Sequence, residues 1–147
     1  MRRYRSKTLA TWLALLTGAL GGHRVYLHGW RDAWAWLHPA PTLLGLWGIV
    51  RVHTLGQDDR LSWILLPILG LMLAQAALCA ILYGLTPDGR WDARHNPDAP
   101  SRSTGWGPVL GVIAALMVGA GTLMATIAFA GQRYFEWQVE AAQRISR

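Results

Sequence analysis

Charged side chains are absent from long stretches of this 147-residue chain. None occurs in Thr8–Gly22, Leu61–Leu85 or Gly105–Gly131, and another apolar stretch, Thr42–Val50, lies between the first two. A charged side chain at the centre of a bilayer costs roughly 2.5–3.5 kcal/mol even on the mildest scale. Together with nine tryptophans and a hydrophobic content of 52%, the missing charge excludes an ordinary water-soluble domain and predicts an integral membrane protein.

Cysteine and lysine are almost missing as well. Cys79 lies alone in an apolar stretch, which excludes a disulfide framework and a cysteine-based metal site. The 14 cationic residues are 13 arginines and one lysine, a bias typical of GC-rich bacterial coding that favours a bacterial inner (cytoplasmic) membrane. They cluster at the ends of the apolar stretches, so the expected partner is the lipid bilayer with its anionic headgroups, and no nucleic acid is expected.

Four apolar stretches predict an all-α integral membrane protein with four transmembrane helices. The first stretch, Thr8–Gly22, would give about 22 Å of helix against a hydrocarbon core of about 30 Å, so the helix should extend to about Leu27. An alternative is a signal peptide cleaved near Ala19-Leu20-Gly21. The second span should kink or restart at Pro39 or Pro41, because proline lacks the amide donor of a helix.

These spans divide the chain into three predicted parts: a two-helix unit at 1–56, a second pair of spans at 57–131, and a tail at 132–147. An exposed polar loop, 86–104, should join the second pair, because proline, glycine and asparagine form turn signatures there. The tail is predicted as an amphipathic C-terminal helix, since aromatic residues fall on one side and charged pairs on another.

The positions of lysine and arginine predict the orientation. Four spans put both termini on one side and the loop 86–104 on the other. A cytoplasmic N-terminus then leaves nine cationic residues inside and five outside, which favours a cytoplasmic N-terminus and a cytoplasmic C-terminus. Most of the excess comes from Arg2, Arg3, Arg5 and Lys7.

The segment from Leu15 to Leu27 carries the most specific motif. Its matching residues are Gly18, Gly21, His23, Arg24, Tyr26 and Leu27, with Gly45-Leu46-Trp47-Gly48-Ile49 further on. The pattern resembles the TM-2 domain (two-transmembrane-helix domain) family, in which a basic start and an apolar helix ending in Gly-x-x-Gly precede a His-Arg-Phe-Tyr-Leu-Gly loop. The resemblance covers Arg5 to about Leu55 and implies a membrane helix pair with no established enzymatic activity. The departures are Val25 for Phe, His28 for Gly and Arg51 for Asp.

Small residues recur at every fourth position on two predicted spans. They allow close approach of another helix backbone, a common basis of helix association in membranes. Spans one and four can pack together within the chain, or these faces can bind another membrane protein or a second copy in a homo-oligomer. The candidate helix-packing residues are Ala10, Ala14, Gly18, Gly22, Gly107, Gly111, Ala115 and Gly119.

His23, Arg24 and Tyr26 form a candidate interfacial loop. It is either a recognition loop at the membrane surface or an anchor, in which Arg24 meets lipid phosphate and Tyr26 lies in the aromatic belt.

Residues that carry chemistry are sparse. His38 and His53 are about 22 Å apart along a helix and cannot share a haem or metal. A site formed by His23, His28 and His38 lacks supporting carboxylates apart from Asp32. The loop carboxylates match no calcium-binding spacing and are expected to be solvated. No catalytic residue, metal or cofactor is therefore predicted.

The predicted function is that of a small non-enzymatic membrane protein, an assembly, accessory or interaction module that acts through its small-residue helix faces. The alternative is a small transporter or channel component for a hydrophobic or lipid-like solute. Ion-coupled transport is disfavoured, because the polar groups at mid-span are limited to Gln75, Thr122 and Thr126.

Overall fold

The computed structural model describes residues 4–146, and every regular element in that range is helical. The all-α prediction is therefore confirmed, while Arg2, Arg3 and Arg147 lie outside the described residues. The helices are α1 (Lys7–Thr17), α2 (Gly22–His28), α3 (Ala33–Leu37), α4 (Pro39–Leu55), α5 (Ser62–Leu85), α6 (Asp88–His95) and α7 (Gly107–Ile145). A short 3-10 turn, Gly18–Leu20, links α1 to α2.

Within the described residues, two helices are long and apolar enough to cross a membrane, judged by length and composition. The 24 residues of α5 extend about 36 Å, and the 39 residues of α7 about 58 Å. The prediction of four such spans is wrong, because the first two predicted spans are divided among the shorter helices α1 to α4.

The first predicted span does not run the length of the bundle. It begins beside the C-terminal end of α5, where Lys7 Nζ donates to the Thr86 carbonyl oxygen at 3.0 Å. Its other end, Gly18, packs directly against Ala76 near the middle of α5. About 15 Å of helix separates Ala76 from Thr86, so α1 covers roughly half the thickness of a hydrocarbon core.

The chain then turns back at Gly21. Its φ of +81° is a left-handed conformation that glycine adopts without strain, and the carbonyl of Ala35 fills the space where a side chain would be. From there α2 returns along α1, and the Tyr26 hydroxyl accepts a hydrogen bond from the Ser6 amide at 2.8 Å. We call α1, the 3-10 turn and α2 the N-terminal hairpin.

The second predicted span is a broken helix. α3 passes the tip of the hairpin, and α4 restarts at Pro39, which occupies the first turn where proline is favoured. The predicted helix restart at Pro39 is thus confirmed. Thr42 Oγ1 donates to the Ala19 carbonyl oxygen at 2.5 Å, and Gly45 and Gly48 pack closely on α5. α4 packs along the first half of α5, while α3 lies against α2.

The bundle has two distinct ends. The cap end holds the base of the hairpin, α6 and the start of α7. The tail end holds the turn at 56–61 and the last third of α7, where Arg60 pairs with Glu140 at 3.2 Å. Tyr4 and Glu140 therefore lie at opposite ends of the bundle, because the hairpin returns instead of crossing.

The predicted tail helix is a direct continuation of α7, which runs unbroken to Ile145.

The interior is built from alanine. Ala14, Ala77, Ala80 and Ala115 form one buried cluster in which no residue is more than 1% exposed. Such small side chains let α1, α5 and α7 approach closely.

Candidate functional site

The candidate helix-packing residues lie at contacts inside the chain. Ala10, Ala14 and Ala115 are fully buried. A side chain on the neighbouring glycines would overlap the facing helix. These glycine contacts are Gly18 with Ala76, Gly107 with Thr8, Gly111 with Thr11 and Gly119 with Ala77. Because α1, α5 and α7 occupy these faces, the faces are not free for a partner.

Gly22 differs from the other seven. The turn at Gly21 separates it from α1, and it packs on Thr17 within the hairpin itself. Gly18 and Gly22 therefore do not belong to one continuous helix face, as their spacing had predicted.

The predicted interfacial loop is helical, and its histidine is buried. His23 is 1% exposed, its ring centroid lies 5.8 Å from those of His38 and Tyr83, and its Nδ1 has no hydrogen-bond partner within the described residues. Arg24 Nε donates to Asp32 Oδ2 at 2.8 Å. That hydrogen bond lowers the pKa of Asp32.

The segment 86–104, predicted as an exposed loop, contains the buried face of α6. Trp91 and Asp92 are only 2% and 5% exposed. The Asp92 carboxylate accepts from the Tyr4 hydroxyl at 3.1 Å, from Asn96 Nδ2 at 2.9 Å and from the Arg102 amide at 3.0 Å. Asp92 is therefore a structural acceptor and not a solvated carboxylate.

Asp88 fastens the other end of α6 to the N-terminal hairpin. Lys7 Nζ lies 2.5 Å from Asp88 Oδ1, and the Thr104 hydroxyl donates to the same oxygen at 2.7 Å. The Lys7 hydrogen bond, followed by that from Thr104, lowers the pKa of Asp88. We call Lys7, Asp88, Asp92 and Asn96 the cap latch. One sign of the cap latch is visible in the sequence, namely two aspartates, Asp88 and Asp92, that are one helical turn apart.

A cleft of about 280 Å³ opens between α2 and α6 at the cap end. Four of its lining residues carry guanidinium or imidazole groups: His28, Arg90, Arg94 and His95. Leu27 and Trp91 supply an apolar floor, and the His95 ring packs on Trp91 with centroids 4.4 Å apart. We call this feature the cap cleft. Sequence reasoning missed it, because α2 and α6 are distant in the chain.

The tail end holds a second polar cluster. Arg51 binds Asp59 through two hydrogen bonds of 2.8 and 2.7 Å. These hydrogen bonds are the largest cause of the lowered pKa of Asp59. The largely buried Arg133 guanidinium lies 5.3 Å from the ring centroids of both Trp63 and Phe129. These contacts fix α4 to the turn at 56–61 and α7 to the start of α5.

Between residues 4 and 146, no three His, Cys, Asp or Glu side chains come together in a way that could hold a metal ion. The residues brought together are instead packing groups, structural ion pairs and the cationic lining of the cap cleft. The likeness to the TM-2 domain therefore remains one of motif. Comparison with protein-family models, with curated proteins and with solved structures gives no match to this chain.

Proposed function

We propose that the chain is a small, non-enzymatic integral protein of the bacterial inner membrane that serves as an assembly or accessory module. One observation carries the membrane location. Trp106, which directly precedes α7, is 76% exposed and Tyr134 on α7 is 54% exposed, and about 42 Å of helix separates them. That distance matches the 40–45 Å thickness of a bilayer with its headgroup regions included, and aromatic residues are enriched in those regions.

The surface between these aromatic residues supports the same proposal. Leu116, Met117, Met124 and Ile127 on α7 are each more than half exposed, and no charged residue interrupts Gly107–Gly131. In a soluble protein, a helix with so apolar a surface is buried in the core, because exposing that surface to water is unfavourable. In a membrane, lipid covers the apolar surface of α7 and that unfavourable exposure does not arise.

The membrane would be crossed three times, by α3 with α4, by α5 and by α7. The N-terminal hairpin would be re-entrant, entering and leaving at the cap end. Non-helical backbone is tolerated at membrane depth only where protein covers it. At the hairpin tip that condition is met, since the Gly21 amide donates to the Gly18 carbonyl at 3.0 Å and the Ala19 carbonyl accepts from Thr42.

Three crossings revise the orientation. Within the described residues, seven lysines and arginines lie at the cap end and four at the tail end. The positive-inside rule then places the cap end in the cytoplasm and the C-terminus on the opposite side. The cap-end residues are Arg5, Lys7, Arg24, Arg31, Arg90, Arg94 and Arg102, and the tail-end residues are Arg51, Arg60, Arg133 and Arg144.

The surface left for assembly is the outer face of α7. Gly121, Ala125 and Ala128 are exposed there at helical spacing, and nothing lies within 4 Å of a Cβ placed on Gly121. Small residues allow the close helix approach that drives association in lipid. We propose a second copy or another membrane protein as the occupant of this face.

Cysteine cross-linking tests the assembly role. In a Cys79→Ala background, Ala125→Cys should form disulfide-linked dimers, or adducts with a partner, in native membranes under mild oxidation. Ile113→Cys, exposed on the same helix but away from the small residues, is the control. Equal cross-linking at both positions, or none at Ala125→Cys, would remove α7 as the assembly surface.

A transporter component for a lipid-like solute is the second candidate. The observations that favour it are the hairpin and the break between α3 and α4, because discontinuous helices recur at transporter binding sites. Purified protein in liposomes should then accelerate the movement of a fluorescent phospholipid between leaflets, and a rate equal to that of empty liposomes excludes this function.

A further inference from the structure

We infer that the cap cleft binds a phosphate-bearing anion, with an anionic phospholipid headgroup as its occupant when the cap end lies at a membrane surface. The site itself rests on the geometry of α2 and α6. The lipid as its source rests on the membrane location proposed above.

Two arginines supply the binding charge. Arg90 and Arg94 are one helical turn apart on α6, and both line the cleft. The carboxylates on the same helix do not neutralise them, because Asp88 is bound by Lys7 and Asp92 by Tyr4 and Asn96. Within residues 4–146 neither arginine forms an ion pair, so the cleft presents cations that lack an anion.

Charges from the facing helix do not change this balance. His28 of α2 lies 3.9 Å from Asp32, but that carboxylate already accepts from Arg24 at 2.8 Å. His95 adds a second imidazole at the end of α6. An incoming anion therefore meets two guanidinium groups and two imidazoles, and no free carboxylate.

The shape of the cleft fits a headgroup. Its volume of about 280 Å³ lies at the small end of ligand sites, and guanidinium groups bind phosphate through paired, directional hydrogen bonds. Leu27 and Trp91 provide an apolar floor for the glycerol and the first acyl carbons. Thr86, at the end of α5, also lines the cleft, which places the opening at headgroup level in the proposed membrane.

The cap latch distinguishes this site from arginines that merely extend toward lipid phosphate. Its partly buried hydrogen bonds and ion pair hold one face of α6 against the start of the hairpin and the residues just before it, while Arg90 and Arg94 lie on the other side of α6 and line the cleft. A rigid support reduces the ordering cost of binding, so we expect a saturable site and selectivity for anionic over zwitterionic lipid.

Lipid titration of the purified full-length chain tests the site. Delipidated protein in mild detergent is titrated with phosphatidylglycerol, phosphatidylcholine or inorganic phosphate, and bound lipid is counted by native mass spectrometry alongside thermal stability. The variant Arg90→Gln/Arg94→Gln should lose on the order of tenfold or more in phosphatidylglycerol affinity. The control Arg31→Gln/Arg144→Gln removes the same charge outside the cleft and should change affinity by less than about twofold.

Each outcome decides the proposal. Equal losses in the two double variants, or no loss in the cleft variant, would overturn it. If inorganic phosphate stabilises the wild type but not the cleft variant while phosphatidylglycerol has no effect, the anion site stands and the lipid is excluded. Should the double variant fail to fold, Arg94→Lys decides, because it keeps the charge and removes the paired hydrogen bonds, so affinity should still fall.

Alkaline carbonate extraction of all variants measures membrane integration separately. Its failure would overturn the membrane proposal, while the phosphate titration would still test the cleft.

Discussion

Replacing Gly18 by leucine tests whether the N-terminal hairpin packs half-way along α5. A Cβ at Gly18 would lie 2.8 Å from Ala76 Cβ and 3.1 Å from Ala76 Cα, whereas carbon atoms prefer separations of about 3.5–4.0 Å. Neither Ala76 atom can move aside by side-chain rotation. The hairpin therefore has to shift by up to about 1 Å to accommodate the Cβ of the new leucine alone. Overpacking of this kind costs about 1–3 kcal/mol.

Gly121→Leu is the matched control. Nothing lies within 4 Å of a Cβ at Gly121, and glycine in a helix interior costs about 0.5–1 kcal/mol relative to alanine. The same substitution should therefore leave the fold as stable as the wild type, or more stable. On the proposed assembly surface it should weaken association, which Gly18→Leu should leave unchanged.

Thermal unfolding in mild detergent, followed by tryptophan fluorescence, measures the first effect, and size-exclusion chromatography measures the second. A Gly18→Leu protein that unfolds with the wild type would show that α1 does not contact α5 at Ala76. Loss of assembly in Gly18→Leu, with wild-type assembly in Gly121→Leu, would move the association surface back to α1.

Three further predictions concern the cap latch and the orientation. Asp92→Ala should destabilise the fold by about 1–3 kcal/mol, because three donors lose a buried acceptor, and should speed amide hydrogen exchange in α6, whereas the exposed Asp98→Ala should do neither. The pKa of Asp88 lies below its ordinary value of about 3.9. The Lys7 pair is therefore fully stabilising above that pH and is lost as the pH falls through the folded pKa. The protection factors of the α6 amides should therefore fall only in acid, and a fall between pH 7 and 5 would contradict the assignment. In a Cys79→Ala background, Gln143→Cys should react with a membrane-impermeant maleimide in intact spheroplasts. Asp98→Cys and a cysteine in a tag before the N-terminus should react only after lysis. If the tag and Asp98→Cys are labelled on different sides of the membrane, the number of crossings is even and the three-crossing topology is wrong.

Local chemistry made the helices predictable from sequence. The uncharged runs at Leu61–Leu85 and Gly105–Gly131 correspond closely to α5 and to the first part of α7, because the cost of burying charge acts residue by residue. Pro39 restarts a helix for an equally local reason, since its missing amide donor is harmless only in a first turn. Small residues at every fourth position indicated close helix contacts, and Gly107, Gly111 and Gly119 each lie against a facing helix, although spacing does not say which helix is the partner.

The path of the first fifty residues was decided only by tertiary contacts. Thr8–Gly22 has the composition of a membrane span, yet the chain turns at Gly21. The left-handed backbone of Gly21 packs against the carbonyl of Ala35, and the Tyr26 hydroxyl accepts a hydrogen bond from the Ser6 amide.

The same holds for the cap end. Asp88 and Asp92 look like solvated loop residues in the sequence, and they are structural acceptors because Lys7 and Tyr4, more than eighty positions away, are brought to them. Sequence alone determined an all-helical chain with long uncharged apolar segments, since each residue's preference for lipid or helix is its own. The hairpin, the latch and the cationic cleft depend on pairs of residues far apart in the chain, so only the folded structure decides them.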